Sequence, residues 1–93
     1  MTDQQIRVLV VDDDEPHAEA VAESLARVGY ECVVAASGRE GIRLIEEQSF
    51  DIVISDLIME GAGGLEVLAK ARRELPDAEV VILTGHGTIK TAV

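Results

Sequence analysis

The run Ile6-Arg-Val-Leu-Val-Val11 constrains this chain more than any other stretch. Consecutive, mostly β-branched apolar residues without polar alternation belong to a strand covered on both faces, as in a parallel sheet flanked by helices. Further β-rich runs occupy residues 30–35, 52–54 and 79–83, and segments of helical period separate them. In residues 15–28 the stripe is Ala18, Val21, Ala22, Leu25 and Val28, and Gly29 ends the helix. Ser37-Gly-Arg-Glu40 is a capping box opening a helix through about Glu47. Residues 64–75 place Leu65, Leu68, Arg72 and Leu75 on one side before Pro76, and residues 88–93 read as the start of another helix. Glu31 inside the second run predicts an edge strand.

Alternating β and α elements with short links imply a doubly wound α/β fold. With 93 residues there is room for one domain, near the lower size limit for folding alone, where only about 60–65% of the unfolded surface is buried. In such sheets ligands bind beyond the carboxyl ends of the strands, so the residues standing there matter. After the first run come Asp12, Asp13, Asp14 and Glu15; after the third, Asp56; after the fourth, Thr84.

Asp14, Glu15 and Pro16 fit an ordinary helix start. Asp12 and Asp13 follow a buried strand directly and are not accounted for in that way. Together with Asp56 they could supply the carboxylates of a Mg²⁺ site; three acids side by side are otherwise electrostatically costly. A carboxylate can also attack phosphorus, in a transfer governed by positioning and neutralisation of phosphoryl oxygens. Thr84 could hydrogen-bond one such oxygen. His17 and His86 are isolated, with His17 expected on the exposed side of its helix, and Arg72-Arg73 reads as a solvated face. No Gly-rich phosphate cradle follows the first strand, which argues against nucleotide binding.

Eighteen acidic residues against eight basic give a net charge of -10, which argues against direct nucleic-acid or anionic-membrane binding. The single Cys32 excludes an internal disulfide and multi-cysteine metal motifs. There is neither a signal-peptide pattern at the start nor an apolar run of membrane-spanning length, so a cytoplasmic location is expected.

Three blocks, Val8-Leu-Val-Val-Asp-Asp-Asp-Glu-Pro16, Asp51-Ile-Val-Ile-Ser-Asp-Leu-Ile-Met59 and Val81-Ile-Leu-Thr-Gly-His-Gly87, resemble, in order and spacing, those of bacterial response-regulator receiver domains. The last block is most similar to receivers of transcriptional regulators, including enhancer-binding activators. The resemblance implies a flavodoxin-like sheet and an acceptor role for Asp56, with a histidine kinase as phosphoryl donor. It implies Mg²⁺ held by Asp12, Asp13, Asp56 and the backbone carbonyl of Ile58, with Thr84 contacting the phosphoryl group as the switch. Ile58 and His86 would flank the site and tune phosphoryl lifetime. Glu60 and Gly63 depart from the family's usual Pro and Asp. The family's fifth strand, with its terminal Lys, and its last helix have no counterpart, and Lys90 is not a substitute for that Lys. The expected strand order is therefore 2-1-3-4, in a single receiver domain over residues 1–93 that is incomplete at its C-terminus. Roughly 30 residues, one β-α unit, would be missing. That would leave residues 80–83 as an open apolar edge able to pair with another chain, in a chain expected to be destabilised, exchanged between copies or part of a longer product.

Two other readings compete. In a haloacid-dehalogenase-type phosphatase Asp12 would be the nucleophile of an Asp-x-Asp block and Thr84 would end the second block, leaving Asp56 without a role. A phosphorylation-independent interaction module would follow from the missing Lys.

Overall fold

The computed structural model describes residues 5–59, 61, 63–83 and 89–92. The chain runs β1 (Arg7–Val11), α1 (Glu15–Arg27), β2 (Glu31–Ala35), α2 (Gly38–Glu47), β3 (Ile52–Asp56), α3 (Gly64–Glu74), β4 (Glu79–Leu83) and β5 (Ile89–Ala92). The first four strands are parallel in the order β2-β1-β3-β4, and β5 joins antiparallel to β4. The doubly wound parallel sheet and the edge position of β2 are as the sequence implied.

The helix boundaries follow local chemistry. Asp14 caps α1, its carboxylate accepting from the His17 amide at 3.2 Å, and Gly29, at φ 99°, turns the chain out of it. Ser37 caps α2 through the Glu40 amide at 3.1 Å, and the Glu40 carboxylate accepts from the Ala36 amide at 2.9 Å. The box closes one residue earlier than its simplest form.

Strand alternation divides the interior into two layers. Leu9, Val11, Val53, Val80 and Ile82 face α2 and α3, packing with Leu44, Ile45, Val67 and Ala71. Val8 and Val10 face α1 through Ala18, with Val21, Ala22, Leu25, Ile52 and Ile54 partly buried around them. The α2 layer is tight at Gly41, where a Cβ would meet the Val11 side chain at 2.8 Å.

Three expectations are corrected. The segment expected to begin a helix contains the strand β5, with Leu83 opposite Ile89 and Val80 opposite Ala92. Six residues are too few for period to separate helix from strand, and the unpaired β4 backbone offers hydrogen bonds a helix start would not satisfy. For the same reason β4 is not an open edge. Leu65 and Val28, which the periodicity places on apolar helix stripes, are 65% and 69% exposed. The inner line of α3 runs through Gly64, Val67 and Ala71, and α1 ends before Val28. Arg72 and Arg73 are exposed, as expected. Among the described residues no helix is long and apolar enough to cross a membrane.

Candidate functional site

Parallel register gathers the acids. Val11 lies opposite Ser55 on β3, so Asp12, the next residue, comes level with Asp56. Asp12 shares the side-chain parity of Val8 and Val10, and Asp56 that of Ile52 and Ile54, so both emerge on the α1 side. The Asp12 amide still donates to Ala35 O at 3.1 Å, which extends the β1–β2 ladder to the site. One carboxylate oxygen from each of Asp12, Asp13 and Asp56 lies within 4.8 Å of the others. Asp12 is 3% exposed, Asp56 is half-buried and Asp13 is exposed, so the cluster opens outward.

Asp12 is held at both oxygens. Its Oδ1 accepts from the Asp14 amide at 2.9 Å, and its Oδ2 meets His17 Nδ1 at 2.5 Å. His17 is exposed, as expected, but it is not isolated: its half-exposed ring turns back onto Asp12. His17 is the third residue of α1, where side chains lean toward the helix N-terminus and over the preceding loop. Its place two residues into a capped helix was the available signal; helical period alone hides it. The hydrogen bond to Asp12 raises the His17 pKa above the ordinary histidine value despite some desolvation, and the charges of Asp12, Asp14 and Asp56 act in the same direction.

Burial, followed by the Asp12 charge, raises the Asp56 pKa above the usual aspartate value; the backbone amides of Leu57 and Ile58 oppose the shift. The loop after Asp56 is clamped from below. Leu57 N donates to Leu83 O at 2.9 Å, and Gly64 N to Leu57 O at 3.1 Å. A Cβ on Gly64 would run into the Asp56 carbonyl oxygen and the Leu57 Cα. Only glycine lets α3 begin this close to the acid loop.

Ile58 is 74% exposed in this loop. Leu83 pairs with Asp56 in register. Thr84 follows Leu83 in sequence; Thr84, His86 and Glu60 lie outside the described residues.

The donor set is hard oxygen throughout, which suits Mg²⁺. A spread of 4.8 Å is a little more than the roughly 4.2 Å across an octahedral Mg²⁺ shell with ligands at about 2.1 Å.

A family model for the response regulator receiver domain matches residues 8–93. The transcriptional regulatory protein GlrR of Escherichia coli K12 is 38% identical over 93 residues, covering all of this chain and 21% of that protein. The chain thus spans about a fifth of the length of that curated relative. Among solved structures, the response regulator TrrA of Thermotoga maritima in complex with Mg²⁺-BeF is 37% identical, with a TM-score of 0.81 over 88% of this chain and 73% of that one. A response regulator from Burkholderia pseudomallei with a phosphorylated aspartic acid and a calcium ion is 32% identical, with a TM-score of 0.82 over 87% and 48%. Matched in sequence across nearly its whole length and in the sheet that gathers its acids, the chain belongs to the response regulator receiver domain family.

Proposed function

We propose that Asp56 accepts a phosphoryl group from the phosphohistidine of a sensor histidine kinase, in a Mg²⁺-dependent reaction. The observation that carries this reading is the convergence of Asp12, Asp13 and Asp56 at the carboxyl ends of β1 and β3. The Mg²⁺-BeF complex of the Thermotoga relative and the phosphorylated aspartate of the Burkholderia relative support it.

In this reading an Asp56 carboxylate oxygen attacks phosphorus, the P–N bond breaks, and the departing imidazole takes its proton from solvent. Asp12, Asp13, Asp56 and the Ile58 carbonyl would hold Mg²⁺, with Asp12 acting through water. When bound, the ion supplies positive charge against the phosphoryl oxygens. Thr84 contacts the phosphoryl group and couples it to the segment after β4; this rests on Thr84 following Leu83, the register partner of Asp56. The gates on Asp56 are positional: β3 fixes its height, and the contact between Gly64 and the Asp56–Leu57 backbone fixes its loop.

Receiver domains are signalling modules rather than turnover enzymes, and this one would catalyse its own phosphorylation and possess at most an autophosphatase activity. A cytoplasmic setting and a transcriptional output carried by a separate domain complete the proposal.

The test is incubation with acetyl phosphate and Mg²⁺, followed by intact-mass measurement. One phosphoryl adduct is expected on the wild type and none on Asp56→Asn or after chelation. An adduct that persists in Asp56→Asn but vanishes in Asp12→Asn would transfer the nucleophile role to Asp12, as in the phosphatase reading. No adduct on any variant would favour the phosphorylation-independent module.

A further inference from the structure

We infer that His17 is a positioning residue of the acid site: its Nδ1–H fixes Oδ2 of Asp12 while the Asp14 amide fixes Oδ1. The inference rests on reading Asp12, Asp13 and Asp56 as a Mg²⁺ site and adds a residue to it.

The geometry separates this role from two others. Helix capping at this position is done by the His17 backbone, whose amide meets the Asp14 carboxylate at 3.2 Å; the ring contributes nothing to that bond. Metal ligation through Nδ1 is excluded. Nδ1 faces Oδ2 of Asp12 at 2.5 Å, and a carboxylate can only accept, so the proton sits on Nδ1 and its lone pair is not free. The donation holds whether or not the other ring nitrogen is protonated, so the positioning role does not depend on the charge of the imidazole.

The consequence follows from burial. Asp12 is 3% exposed, and two donors on its two oxygens fix the plane of its carboxylate. The remaining lone pairs are then directed before a cation or its bound water arrives. Removing an outer hydrogen-bond partner of a metal-site ligand commonly weakens affinity by about 10- to 100-fold. The His17 side chain is 53% exposed, so water can partly replace it and the lower end of that range applies.

The experiment is calorimetric titration of Mg²⁺ into the chain without phosphodonor, at a pH above the imidazole range. It compares wild type with His17→Leu, His17→Asn, His17→Gln and Asp56→Asn, with thermal unfolding recorded for each. Asn can place its amide nitrogen where Nδ1 stands; Gln extends toward the position of Nε2. His17→Leu and His17→Gln should bind Mg²⁺ about tenfold more weakly, and His17→Asn within about threefold of wild type. If His17→Leu does not fold, the Asn–Gln contrast decides alone. Unchanged or tighter binding in His17→Leu, or His17→Asn binding as weakly as His17→Gln, overturns the positioning role. Unchanged affinity in Asp56→Asn would instead overturn the site reading beneath it.

Discussion

Asp56 occupies a position in which its own charge works against the fold. Burial and the Asp12 carboxylate raise its pKa, so the folded chain binds that proton more readily than the unfolded one. Stability therefore falls as pH rises from the ordinary aspartate value of about 3.9 through the raised folded value, and stays reduced above it. Asp56→Asn removes the effect: in Mg²⁺-free buffer at pH 7 it should melt above the wild type, with the gap closing toward about pH 3. A gap independent of pH would remove the electrostatic account. His17 gives the same direction of pH dependence, although here the charged form is the stabilising one. Its raised pKa means that the bond to Asp12 adds stability that is fully present below the ordinary histidine value and is lost as pH rises through the folded value. With the ring half-exposed, the stabilisation is small. In NMR titration the His17 midpoint should lie above about 6.5 and return toward it in Asp12→Asn. A midpoint unmoved by that substitution would contradict the pairing. Asp12 is legible because it directly follows an apolar run, and Asp56 because only Ser55 separates it from one. His17 is not, since a helix wheel describes faces along an axis and not the backward lean of a side chain in its first turn.

At the scale of elements, α3 is the helix most tied to the site. Its cap position is Gly63, which makes no side-chain cap bond, so the start of α3 depends on the fit of Gly64 against the Asp56–Leu57 backbone. Gly64→Ala puts a methyl group into main-chain atoms that cannot rotate away. We expect a loss of about 1–3 kcal/mol in denaturant unfolding, together with slower phosphorylation of Asp56 by acetyl phosphate. Gly41→Ala is the useful contrast, because it crowds only the Val11 side chain; it should lower stability while leaving the rate of the folded fraction unchanged. Equal rates in both variants would separate α3 packing from the site. The elements themselves were legible wherever apolar period and caps agreed, as at Ser37–Glu40 and Gly29. The missed features share a cause: Leu65 and Val28 sit at helix ends, where a stripe extrapolates past the packed surface. β5 was decided by an unpaired neighbour strand, which no local window contains.

Across the whole molecule, the acids stand at the ends of β1 and β3, strands with sheet neighbours on both sides. Their main-chain positions therefore derive from the most constrained part of the fold, while the charge they carry is a concentrated part of the chain's net -10. A cation that binds there and not to the unfolded chain should stabilise the whole domain by linkage. At a Mg²⁺ concentration ten times its dissociation constant the gain is about 1.4 kcal/mol, or roughly 6–11 °C in melting temperature for a domain of this size. General screening of the net charge would also raise stability, but equally for any salt of matched ionic strength. The comparison is therefore MgCl₂ against NaCl at equal ionic strength, for wild type and Asp13→Asn, followed by chelator. The wild type should gain several degrees with Mg²⁺ and lose them on chelation, while Asp13→Asn should gain less than half as much. Equal gains in the two salts would mean that the acids repel one another without forming a binding site. Equal Mg²⁺ gains in both proteins would move the ion away from Asp13.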